Sequence, residues 1–129
     1  NAAEYIAVQG NSKIIFIERG IRTYETATRN TFDLSAVPLI KKLSHFPIIV
    51  DPSHGTGVWD LVAPMARAGV ASGADGMIVE IHPDPLHAWS DGEQSLNEKN
   101  YLTMMSEVEI LVEAMQKIKD LTKEPSLIK

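Results

Sequence analysis

The chain has 129 residues, 44% of them apolar and 22% charged, which is enough for one domain with a real core and too little for two. Its formal net charge of −5, with no basic stretch, argues against nucleic acid as the main partner, because phosphate backbones require a positive footprint. It contains no cysteine, so disulfides, zinc ribbons and thiol nucleophiles are excluded, and no apolar run reaches the roughly 18 to 20 residues of a membrane span. A soluble, cytoplasmic protein is the default expectation. A small anionic substrate stays open, because a few arginines at one site hold a phosphate while the whole molecule remains acidic.

Residues 1 and 2 are set apart as the remains of an expression tag, within a single domain spanning 1–129. Residues 3–9 read as the end of a helix stopped by Gly10-Asn11. A first strand is expected at Lys13 to Ile17, followed by a polar, threonine-rich loop over 23–30. A helix follows from Leu34 to Leu43, with Val37, Ile40 and Leu43 on one face and Asp33 or Ser35 near its start. The second strand runs from Ile48 to Asp51. A loop through Gly55-Thr56-Gly57 leads into an apolar helix from Asp60 to Ser72, closed by Gly73. Asp75-Gly76 marks a turn before a third strand, Met77 to Ile81. The chain to Leu96 reads as a loop with at most a short helix. A last amphipathic helix, Asn97 to Lys123, carries Leu102, Met105, Val108, Leu111, Val112, Met115 and Ile118 on its apolar side.

This order, one helix and then three βα units, predicts an α/β fold with parallel strands side by side and right-handed crossovers. Three such strands leave one face and two edges uncovered, so the chain reads as part of something larger.

Each apolar run ends in chemically capable residues, and in parallel sheets the carboxyl ends of strands carry the ligand site. His54 follows the second strand in a Pro-Ser-His-Gly turn, either as a metal ligand or proton carrier or as a surface histidine bonded to its neighbours. Glu80 interrupts an apolar strand, where a carboxylate is expensive to bury unless paired or on a metal, or else strand alternation exposes it. Asp91, between Ser90 and Gly92, is by itself a turn aspartate. Together they supply one nitrogen and two carboxylates, a set suited to Mn²⁺, Fe²⁺, Co²⁺ or Zn²⁺ with open positions. Arg19 ends the first strand and is a candidate clamp for a phosphate or carboxylate, or an ion-pair partner of Glu18 or Asp51. Arg22 and Arg29 are weaker candidates for the same anion. His82 is placed near Glu80 in a supporting role at best, and Trp59, Trp89 and Phe46 read as packing residues.

Five motifs in order then resemble a known family. They are Glu18-Arg19-Gly20-Ile21-Arg22-Thr23, Thr28-Arg29-Asn30-Thr31 with Leu34-Ser35-Ala36-Val37-Pro38, Asp51-Pro52-Ser53-His54-Gly55, Val79-Glu80-Ile81-His82-Pro83, and Ser90-Asp91-Gly92 with Gln94-Ser95-Leu96. The family is the 3-deoxy-D-arabino-heptulosonate 7-phosphate (DAHP) synthases, in the branch that also resembles the 3-deoxy-octulosonate 8-phosphate synthases. The resemblance runs from about Glu4 to Lys119.

It implies the carboxy-terminal portion of a (β/α)₈ TIM barrel, and an enzyme condensing phosphoenolpyruvate with erythrose 4-phosphate in the shikimate pathway. It also implies a divalent metal held by His54, Glu80 and Asp91, with Arg19 on phosphoenolpyruvate. A complete barrel takes on the order of 250 residues. The family's ligating cysteine and its Lys-Pro-Arg-Thr motif have no counterpart here, and Val58-Trp59 stand where relatives often carry basic residues. The chain alone is therefore expected to be inactive and to self-associate as a homo-oligomer through uncovered barrel interior. The alternatives are an octulosonate-phosphate synthase fragment and a non-catalytic self-assembling fragment.

Overall fold

A computed structural model describes residues 2–123. The elements are α1 (Ala2–Val8), β1 (Phe16–Glu18), α2 (Ala36–Leu43), β2 (Ile48–Val50), α3 (Pro52–Thr56), α4 (Trp59–Ala71), β3 (Gly76–Met77) and α5 (Glu98–Lys123), with a 3₁₀ turn at Pro85–His87. The strands form one parallel sheet in the order β1-β2-β3, with Phe16 opposite Ile48, Glu18 opposite Val50 and Val50 opposite Met77.

Strand alternation sorts the apolar residues between two faces. Phe16, Ile48, Val50 and Met77 pack with Val37 of α2. Val79 joins Val62 and Ala66 of α4, Leu96, and Met104 and Val108 of α5. Ile15, Ile17 and Ile78, of the opposite parity, are exposed on the face away from the helices. Two βα crossovers with helices on one side and an apolar sheet face on the other form a wedge of a barrel wall.

The strands are shorter than expected, because each ladder stops where its neighbour turns away. Pairing of β1 begins with the Phe16 N–H on the Pro47 carbonyl, 2.9 Å, so 13–15 lie outside the ladder. The expected third strand, 77–81, is a ladder only at Gly76–Met77. Its last bond runs from the Ile78 N–H to the Val50 carbonyl, 2.9 Å, since Asp51 leaves the strand to start α3. Beyond that point the segment pairs elsewhere: the Leu96 N–H donates to the Glu80 carbonyl and the His82 N–H to the Leu96 carbonyl, both 2.9 Å.

Residues 52–56, expected as a loop, form the short helix α3. Its signals are Asp51 as N-cap, Pro52 in the first turn and Gly57 at φ +74° closing it. His54 is therefore a helical residue. Asp75 ties β2 to the turn before β3, accepting from the Ile48 N–H (2.9 Å) and from Lys41. Burial works against its ionisation, yet the Lys41 ammonium and that N–H hold its carboxyl below the usual carboxylate range.

Several packing expectations need correction. On α5 the buried stripe is Met104 and Val108, flanked by Tyr101 and Met105, whereas Leu102, Val112 and Ile118 are exposed. The stripe follows i, i+3, i+4, i+7 from Tyr101, where α5 packs on Val62 and Ala66 of α4. Leu43 is exposed at the end of α2. Trp89 packs against nothing and is fully exposed, and Trp59 is half-exposed. Phe46 does pack, edge-on to Phe16 at 6.1 Å between centroids. The boundary expected after residue 2 falls partly on Asn1, outside the described residues, and Ala2 is the first residue of α1.

Candidate metal centre

Asp51, at the end of β2, is 3% exposed and uses its carboxylate three times. Oδ1 accepts the His54 N–H at 3.0 Å, capping α3, while Oδ2 meets His54 Nδ1 at 2.8 Å and Arg19 Nε at 3.2 Å. With Nδ1–H donated to Asp51, the imidazole presents a bare Nε2. A carboxylate behind a histidine is the usual support of a metal-ligating imidazole.

Nε2 lies 3.7 Å from Glu80 Oε2. Glu80 has the parity of Ile78, so its side chain leaves the sheet on the face away from the helices. Its backbone is pinned on both sides: the N–H donates to Ser53 Oγ, 3.0 Å, and the carbonyl accepts from Leu96. Ser53 is fully buried, so the residue before His54 sets the position of Glu80.

Asp91 reaches the same place from the following loop. It is the one non-glycine residue at positive φ, +56°, among the described residues, a conformation uncommon outside glycine. The Gln94 amide, first of all, holds its carboxyl below the usual carboxylate range; partial burial opposes this, and the Arg29 guanidinium adds to it. His54, Glu80 and Asp91 each place one ligand atom within 4.8 Å of the others. One imidazole nitrogen and two carboxylate oxygens fit a divalent transition ion, and the absence of cysteine sulfur leaves the set hard to borderline.

Arg19 stands beside this group, its side chain 56% exposed, with Nε on Asp51. Arg29 is held over the centre by its own strand of contacts. Its N–H donates to the Thr56 carbonyl, 3.1 Å, and Asn30 grips the backbone of α3 through Gly55 and His54. A Cβ on Gly57 would strike the Arg29 side chain, so that glycine answers both its positive φ and this close approach. Arg22 instead donates to the Arg29 carbonyl, 3.3 Å, and His82 accepts from the Asp84 N–H, 3.0 Å; neither joins the cluster.

Sequence reasoning assigned no role to Ser53 or Gln94, and gave Asp51 only as an ion-pair partner. Ser53 adjoins His54 in the sequence, while Asp51 and Gln94 each stand three residues from a candidate ligand, and all three are buried.

The sequence matches the DAHP synthetase I family over residues 1–117. Phospho-2-dehydro-3-deoxyheptonate aldolase of Thermotoga maritima is 57% identical over 88% of this chain and 34% of its own length. 2-dehydro-3-deoxyphosphooctonate aldolase of Rhodopseudomonas palustris is 33% identical over 99% of this chain and 45% of its own length. The crystal structure of the T. maritima DAHP synthase superposes with a TM-score of 0.87 at 57% identity, across 88% of this chain and 34% of that one. A truncated form of the T. maritima synthase gives 0.75 at 56% identity, across 94% and 44%. The chain spans between a third and a half of the length of these relatives, and the parallel sheet is part of their barrel. The chain belongs to the DAHP synthetase I family.

Proposed function

We propose that this chain carries the metal-binding half of a cytoplasmic enzyme that condenses phosphoenolpyruvate with erythrose 4-phosphate to 3-deoxy-D-arabino-heptulosonate 7-phosphate. The observation that carries the reading is the convergence of His54, Glu80 and Asp91, with Asp51 behind the imidazole and Arg19 alongside. His54 through Nε2, with the Glu80 and Asp91 carboxylates, would hold Mn²⁺, Fe²⁺, Co²⁺ or Zn²⁺. A divalent ion bound there supplies Lewis-acid polarisation of an aldehyde carbonyl.

The chain's own residues do the rest of the positioning. Arg19, anchored to Asp51 through Nε, keeps the remaining face of its guanidinium for the phosphate or carboxylate of phosphoenolpyruvate. Held there, C3 of phosphoenolpyruvate forms the new carbon–carbon bond to the aldehyde, water adds at C2, and phosphate leaves. The octonate aldolases are the more distant relatives, at 33% identity against 57%, which favours the four-carbon sugar phosphate.

Mn²⁺ titration by calorimetry tests the site. His54→Ala is expected to weaken binding by about 100-fold or more, beyond what loss of a supporting residue costs. Equal binding by the variant would remove His54 from the ligand set and the reading with it. The exposed Ile15, Ile17 and Ile78 support a second proposal, that the chain on its own self-associates through the open sheet face. Sedimentation is expected to show dimers or larger species, and a monomer at tens of micromolar would refute it.

A further inference from the structure

Gln94 is 2% exposed, yet no hydrogen-bonding atom of its side chain is idle. Its Nε2 donates to Glu80 Oε2 at 3.0 Å and to Asp91 Oδ1 at 2.6 Å. Its Oε1 accepts from Arg29 at 3.3 Å, and the same guanidinium nitrogen lies 3.4 Å from Asp91 Oδ1. The amide orientation follows from chemistry: only the NH₂ end donates to two carboxylates, and only the oxygen accepts from a guanidinium.

The two carboxylates come from different segments, one after β3 and one from the loop ahead of α5. One amide group spans both, and its backbone is fixed two residues away, where Leu96 pairs with Glu80 and His82. Being neutral, the amide restrains both oxygens without contributing a positive charge that would compete with a cation.

We propose, on the reading of His54, Glu80 and Asp91 as metal ligands, that Gln94 is the positioning residue that sets the spacing of the two carboxylates, with Arg29 fixing the direction of its amide. A packing role predicts something different. A side chain of equal volume without donors would then serve as well, because the pocket around residue 94 would be filled.

The test is Gln94→Met in the protein, titrated with Mn²⁺ and loaded with Co²⁺, beside wild type and His54→Ala. The expected result is a rise of about 10- to 100-fold in the Mn²⁺ Kd, as for loss of other groups that orient metal ligands. Altered Co²⁺ d–d bands are expected with it, while the metal-free thermal midpoint stays within a few degrees of wild type. A wild-type Kd and an unchanged Co²⁺ spectrum in Gln94→Met, with binding still lost in His54→Ala, would overturn the role of Gln94 and leave the metal reading standing. No saturable binding by wild type would overturn both. A measurement without any variant stands beside these: the Gln94 side-chain NH₂ resonances are expected to shift on Zn²⁺ titration. Unmoved resonances at saturation would reject the proposal even where Gln94→Met does not fold.

Discussion

Asp51→Ala is expected to lower stability by about 3 kcal/mol and to weaken Mn²⁺ binding about 10- to 100-fold. The stability loss has three sources. The N-cap of α3 contributes about 1 kcal/mol, and the charge-assisted bond to His54 roughly 1.5 kcal/mol. The Arg19 pair contributes less than about 1 kcal/mol, discounted because that side chain is 56% exposed and water replaces its partner. The affinity loss has a different cause, since the carboxylate fixes the imidazole tautomer.

Asp51→Asn separates these effects. The amide oxygen still accepts the His54 N–H, so the cap survives and the stability loss is expected to be about 1 kcal/mol. The amide NH₂, however, now faces Nδ1 and donates to it, which moves the ring proton to Nε2 and blocks the ligand position. Urea denaturation and Mn²⁺ calorimetry on both variants check the pair. Wild-type affinity in Asp51→Asn would show that Asp51 serves α3 alone.

The order of elements was legible in the sequence because burial follows parity in this sheet. Ile48 and Val50 alternate with Ile49, Met77 and Val79 with Ile78, and the runs are too short for helices. Their ladders were not legible in length, since the end of each depends on where the adjacent chain turns. That is a property of Pro47 and Asp51 rather than of the run itself. α3 could have been read from Asp51, Pro52 and Gly57, but five residues make no periodic pattern. The proximity of His54 and Glu80 was legible from chemistry at strand ends, and Asp91 entered only as a third donor from a loop, whereas the contacts of Gln94 and Ser53 were not legible. A buried amide or hydroxyl gives no signal in sequence until it is known which carboxylate or N–H it faces.

A residue with no chemistry at all governs the same site from behind. Gly69, in α4, costs that helix about 1 kcal/mol relative to alanine, so its presence requires a reason. A Cβ there would lie 2.5 Å from Cγ2 of Val50, which is fully buried in β2. The glycine thus sets how closely α4 approaches the strand that ends in Asp51. Gly69→Leu is expected to cost about 3 kcal/mol through overpacking, and to weaken Mn²⁺ binding, since displacing Val50 displaces Asp51. Gly69→Ala is expected to be milder, a net loss of roughly 1 kcal/mol once the gain in helix propensity is set against the clash.

Pairing Gly69→Ala with Val50→Ala isolates the contact. Val50→Ala alone is expected to cost about 2 kcal/mol, and the double variant roughly 1 to 2 kcal/mol less than the sum, because the new methyl enters the space the valine leaves. Additivity in urea denaturation would mean that α4 tolerates a side chain at 69 by moving away from β2, and that the metal centre does not depend on this approach.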